Sequence, residues 1–144
     1  KIGVKVNLRA QTRNLYFAKI LRSTADGKPS NTSFYMLGWS PATTYDVHNV
    51  FEQIIQTPNV KAKKGLYNAG GYSSKKFDEL SNAIEVETDK AKRDALIREA
   101  TKIYVDDFAY VPLHQQALVW ASRKNIDLVQ PADNSFPLRY VTIK

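Results

Sequence analysis

The chain has no cysteine among its 144 residues. That absence excludes disulfides, thiol nucleophiles and cysteine-based zinc sites, and it fits a cytosolic or an exported protein equally well. No apolar run approaches the roughly 20 residues needed to cross a bilayer. A signal-peptide pattern is also missing: the opening KIGVKVNLRA alternates like a strand and has no apolar central region. The first residue is not methionine, so 1–144 is expected to be a segment of something longer. Histidine is scarce, with only His48 and His114, which leaves few ways to build a nucleophile–base pair.

What is present describes one folded domain. Hydrophobic residues make up 43%, charged residues 24% and aromatics 11%, enough for one core and too short a chain for two domains. The net charge of +7 is unevenly placed. Residues 1–30 hold seven Lys and Arg (Lys1, Lys5, Arg9, Arg13, Lys19, Arg22, Lys28) against Asp26 alone. The remainder is close to neutral. A solvated face is the ordinary reading of that excess; a polyanion site, with the chain acting as a nucleic-acid-associated α/β domain, is the alternative. Aromatics are not interleaved with these charges in a nucleic-acid motif, so no nucleic acid is expected as partner.

Periodicity predicts a strand over 2–9 (Val4, Val6, Leu8 on one face) and a helix over 12–23 capped by Thr12. TADGKPSN (24–31) is turn chemistry. A second strand follows over 32–39, apolar on consecutive positions as in a strand covered on both faces. This strand–helix–strand unit predicts a parallel right-handed crossover, which would bring the loop after Gly38 to the carboxyl edge of a sheet, where open α/β sheets bind ligands. A short helix is expected over 47–56, with Val47, Val50, Phe51, Ile54 and Ile55 as its stripe. Two more helices follow, one capped by Ser73 or Ser74 and one over 90–106 capped by Thr88 or Asp89. The last of these should turn Ala91, Ala95, Leu96, Ala100, Ile103 and Tyr104 inward, with its charges forming a solvated outer face. A strand or a pair of short strands is expected over 111–123, with Trp120 in the core, and two further strands over 126–130 and 137–143. The order β-α-β-α-α-α-β-β-β indicates an α/β or α+β lobe.

Chemistry is harder to find. His48 opens a helix and His114 follows Pro112-Leu113, neither within a nucleophile-elbow frame. Asp46-x-His48 offers two ligands where a transition-metal site needs three or four. Adjacent Asp106 and Asp107 point about 100° apart on a helix and cannot share a proton. Gly70-Gly71 lacks a phosphate-loop frame. No catalytic residue, metal or cofactor is expected. Trp39 reads either as a cap on the core or as a stacking surface at a strand's end.

Taken in order, several pieces resemble the C-terminal part of the family 5 extracellular solute-binding proteins, the dipeptide-, oligopeptide- and nickel-type receptors of ABC importers. They are "GVKVNL" before a helix, "FYMLGW" running into a loop with Asp, "YNAGGYSSKKFDELSNAI", "DKAKRDALIREATKIYVDDFAYVPLHQQ", and a final strand region. The likeness covers essentially the whole chain. It implies an α/β fold, a single domain over 1–144 that forms the C-terminal portion of one lobe in a type II periplasmic-binding-protein architecture. It also implies a non-enzymatic role in which two lobes close on a small-molecule or peptide ligand and hand it to the membrane permease of an ABC importer. The remaining lobe of the parent chain would be a partner. Localisation would be periplasmic, or extracellular with a lipid anchor in a Gram-positive source. The ligand-facing residues implied are Trp39, Ser40, Thr43, Thr44, Tyr45 and Asp46. Peptide-binding members carry an aspartate a few residues past the tryptophan that pairs with the peptide's amino terminus. Here Pro41, Ala42 and Thr43 stand there, none charged, and Asp46 matches a later Asp of the motif and Asn49 its Asn. That departure favours a modified peptide, a glutathione-like ligand or another small solute. On this reading the basic N-terminal segment faces the transporter or is simply exposed.

Overall fold

The computed structural model describes residues 3–21, 34–41 and 44–144. The 24–31 turn, Thr43, Asp26 and the far end of the 12–23 helix lie outside them. The first described helix is α1 (Arg13–Ile20), with Thr12 at the N-cap position accepting from the Tyr16 amide through its carbonyl rather than its hydroxyl. The second, α2 (Val47–Val50), runs directly into a wider π turn over Phe51–Ile55, closed by the Gln56 amide donating to the Phe51 carbonyl at 2.8 Å. Ile54, Ile55 and Gln56, at the end of this turn, are buried consecutively.

Two longer helices complete the core. In α3 (Lys75–Val86) the Ser74 hydroxyl accepts from the Phe77 amide, satisfying one of the unpaired donors of the first turn. In α4 (Lys90–Asp106) the Asp89 carboxylate does the same for the Lys92 amide at 2.9 Å. The two pack together through Phe77 and Ile84 on one side and Ala100 on the other, with Leu96, Ile97, Ile103 and Tyr104 around them. Ala91 and Ala95 are exposed, and the inward stripe includes Ile97 instead. Phe51, Phe77 and Tyr104 meet edge to face in a triangle with centroids 5.3, 6.0 and 6.2 Å apart, geometry that suits the opposed charge of ring face and ring edge. Burying the Phe51 and Phe77 side chains contributes about 1.5–3 kcal/mol each.

The strands depart from expectation. Among the described residues the one sheet pairs β1 (Ile126–Asp127) with β2 (Thr142–Ile143), antiparallel, in the register Ile126↔Ile143 and Asp127↔Thr142. Residues 3–9 and 111–119 are exposed and form no ladder among the described residues, so 3–9 and 34–39 do not pair there as the expected crossover. An alternating pattern specifies which face would be buried, but not that a neighbouring strand exists to pair with it. Residues 34–40 are extended, covered on one face rather than two. Tyr35, Leu37 and Trp39 turn inward while Phe34, Met36 and Gly38 turn out. The Tyr16 hydroxyl donates to the Met36 carbonyl and ties α1 to this segment. Trp120 lies outside the helical core. It meets Phe136 at 5.3 Å, donates its indole N–H to Asn134, and walls a separate C-terminal cleft of about 540 Å³ with Leu128, Leu138 and Val141.

Candidate functional site

Residues 34–40 cross the helical core and end at a small open cleft of about 250 Å³. Arg13 and Phe17 of α1 form one wall, residues 37–40 the floor, and Tyr67 the other side. Trp39 is held on two sides. Its indole N–H donates to the Asn49 side-chain carbonyl at 2.9 Å, and its ring stands 4.8 Å from that of Tyr67, tilted by 59°. Core capping and presentation to a ligand are thus combined in one side chain: Trp39 packs against the core cluster and lines the cleft.

Tyr67 owes its place to the loop that follows the π turn. A helix end leaves its last carbonyls without partners, and here the loop supplies them. Gly65 and Tyr67 donate their amides to the carbonyls of Glu52 and Gln53, at 2.7 and 2.9 Å. The Asn68 side-chain amide reaches those of Ile55 and Gln56, and the Tyr110 hydroxyl that of Ile54 at 2.9 Å. Asn68 is buried, and it also brackets Tyr72, donating to its carbonyl and accepting from its amide. Since Tyr110 spends its proton on Ile54, Tyr35 donates to Tyr110 and itself accepts from the Gly70 amide. That chain of bonds fixes residues 34–40 to the loop. Burial pushes the Tyr110 hydroxyl well above the usual phenol range. The Tyr72 hydroxyl, partly buried and bonded to Asp107, is pushed up to about 12. Neither phenol ionises near neutrality.

The sequence-expected site residues divide. Trp39 and Ser40 line the cleft. Thr44 bonds within the turn, donating to the Pro41 carbonyl and accepting from the Asp46 amide. Tyr45 takes a left-handed backbone (φ 51) and stands in solvent. Thr43 lies outside the described residues. Asp46 caps α2, accepting from the His48 amide at 2.9 Å, and pairs with Arg93 at 2.7 Å. Arg93 in turn donates to the Ile84 carbonyl at the end of α3, so this ion pair joins three helices. His48 is also structural, with its ring nitrogen 3.0 Å from the Ser81 carbonyl. Arg13, Phe17 and Tyr67 were missed as site residues. The stretch YNAGGYSSKKFDELSNAI, which carries part of the family resemblance, begins at Tyr67, but nothing local in the sequence joins positions 13, 39 and 67.

Burial works against ionisation of Asp46, yet the His48 amide and the Arg93 guanidinium outweigh it and hold its carboxyl below the usual value of 3.8. A depressed carboxylate contributes stability that is present above the unfolded value and lost as pH falls through the folded one. Arg93→Met is therefore expected to lower stability at pH 7 by about 1 kcal/mol or less, since the pair is partly open to solvent. The variant should also lose less further stability than the parent chain between pH 5 and pH 3. Urea denaturation at both pH values checks this, and parallel acid limbs would show the ion pair to be inert.

Over 64 residues, 44% of the chain, the sequence is 31% identical to the oligopeptide-binding protein OppA of Bacillus subtilis. The similarity is partial. The matched stretch spans 12% of that protein's length. No family model matches the sequence, and no solved structure matches the fold. The relative is by its name a binding protein. Among the described residues no three His, Asp or Glu side chains gather as a metal-binding group, and no helix is long and apolar enough to cross a membrane.

Proposed function

We propose that the chain forms part of one lobe of a two-lobed, type II solute-binding protein, and that the cleft beside Trp39 is its share of the ligand site. The observation that carries this is the placing of Trp39: an aromatic wall, locked by Asn49 and Tyr67, at the end of an extended segment and open to solvent. The partial likeness to an oligopeptide-binding protein supports a peptide-like or other small solute as ligand, captured outside the cytoplasm and passed to the permease of an ABC importer. Exposed apolar side chains support the lobe reading from the side of the fold. Val4, Val6 and Leu8 are 67%, 68% and 91% exposed on segments patterned for a sheet, and Val119 is 85% exposed. Such faces suit burial against further chain. Recognition would be completed by closure of the second lobe, so this part alone binds weakly.

The test is retention of tri- to pentapeptides from a size-fractionated protein digest on the immobilised 144-residue chain, read by mass spectrometry. Trp39→Ala is expected to lower retention about tenfold, the loss of one stacking wall. If the Trp39→Ala chain retains the same peptides in the same amounts, the cleft is not the site. With the chain immobilised densely enough for weak binding to register, no retention by either would sink the receptor reading.

A further inference from the structure

We infer that the cleft receives a carboxylate carried next to an apolar or aromatic group, with Arg13 as the cation that pairs with it. This rests on the solute-binding reading above and names the ligand chemistry of that same site. Arg13 opens α1 on the rim of the cleft, its guanidinium 5.7 Å from the centre of the Phe17 ring. An arginine stays charged at any pH the fold survives, and it ordinarily seeks a carboxylate or phosphate that can meet its planar fork.

Among the described residues no acid is left to do so. Every described aspartate and glutamate already accepts a hydrogen bond or an ion pair from some other residue. Asp46, the acid of the loop itself, is held by Arg93. The cleft is therefore a place where a cation with no acid partner among the described residues shares a lining with the rings of Phe17, Trp39 and Tyr67.

That combination selects among anions. A single guanidinium matches one carboxylate in a bidentate pair. Aromatic walls add nothing for a bare inorganic anion but stack well against an apolar substituent. The volume, about 250 Å³, is below that of a site enclosing a drug-sized molecule, so the cleft takes one residue or one end group of a larger ligand. An acidic recognition group is also what the loop's composition leaves room for, since Pro41 and Thr44 offer no charge to a free amine and Asp46 is spent.

The test is a ¹⁵N–¹H titration of the full 144-residue chain, following the Trp39 indole N–H in a Trp120→Phe background that removes the other indole. The probes are N-acetyl-phenylalanine, its amide, and phenyl phosphate. The acid is expected to shift the Trp39 signal saturably, with the amide about tenfold weaker. Arg13→Gln should bring the acid to the level of the amide and leave the amide unchanged, while Arg13→Lys keeps part of the difference. Equal affinity for acid and amide would overturn the assignment, as would an Arg13→Gln chain that weakens both alike. Phenyl phosphate binding more tightly than the acid would also overturn it, in favour of a phosphate. Digest peptides retained without any preference for the acid would sink this inference and spare the receptor reading. Acid binding without peptide retention would do the reverse, and no binding of any probe or peptide would sink both.

Discussion

Gly65→Ala is expected to cost the fold about 3–5 kcal/mol, measured by urea denaturation followed by helix circular dichroism. Two effects add. The residue sits at φ +63, a left-handed backbone that costs an alanine roughly 1 kcal/mol. A Cβ there would also stand 2.3 Å from the Gln56 carbonyl oxygen and 2.8 Å from Pro58 N and Cα. All three are backbone atoms, so no rotamer change relieves the clash and the loop must move away from the π turn. That movement would break the bond from the Gly65 amide to Glu52 and the neighbouring one from Tyr67 to Gln53. Gly71 is the control. It has φ +71 but nothing within 4 Å of its would-be Cβ, so Gly71→Ala should show the backbone strain alone, about 1 kcal/mol. Equal losses at the two positions would mean that the close approach at Gly65 is unimportant.

Legibility in the sequence followed the range of the interaction. The caps at Ser74 and Asp89 and the apolar spacing of Phe77, Leu80 and Ile84 are local signals, and α3 and α4 begin where those signals put them. The short helix was legible too, but its widening at Phe51–Ile55 was not, because the π turn is held by loop and tyrosine donors that reach its carbonyls from residues 65, 67, 68 and 110. Strands depend on a neighbour. The alternation of Val4, Val6 and Leu8 is plain in the sequence, yet a pattern cannot supply a ladder partner. The face of 34–40 was misjudged for a related reason: consecutive apolar residues look alike whether one side or both are covered, and of these seven only Tyr35, Leu37 and Trp39 are partly covered. The site shows the same limit. Trp39 stood out by its position after Gly38, whereas Arg13 and Tyr67 join it only through the packing of α1 and of the 65–72 loop.

Asn68 is where fold and site are most tightly joined, and Asn68→Ala is expected to cost about 3–5 kcal/mol. The side chain is 1% exposed, so water cannot replace what it bonds. Its Nδ2 lies 2.8 Å from the Tyr72 carbonyl, 3.0 Å from that of Gln56 and 3.3 Å from that of Ile55, and its Oδ1 accepts from the Tyr72 amide at 3.1 Å. Only this orientation of the amide puts a donor against the carbonyls and an acceptor against the N–H. Truncation would orphan buried backbone groups at the end of the π turn and release the loop that carries Tyr67. The Trp39 indole should then lose its fixed neighbour and its near-ultraviolet dichroism should weaken. Asn68→Asp separates the donor's role from mere size. Its carboxylate would face two or three carbonyl oxygens, so its pKa should rise in the folded chain, and the variant should be at least as unstable as Asn68→Ala at pH 7. A group with a raised folded pKa contributes stability as pH falls through that value. Asn68→Asp should therefore recover part of its loss between pH 7 and pH 5, where one proton restores one donor, while Asn68→Ala should not. If both variants respond to pH alike, donation by Asn68 is not what secures the carbonyls at the end of the π turn, and the positioning of Tyr67 must come from the Gly65 and Tyr67 amides alone.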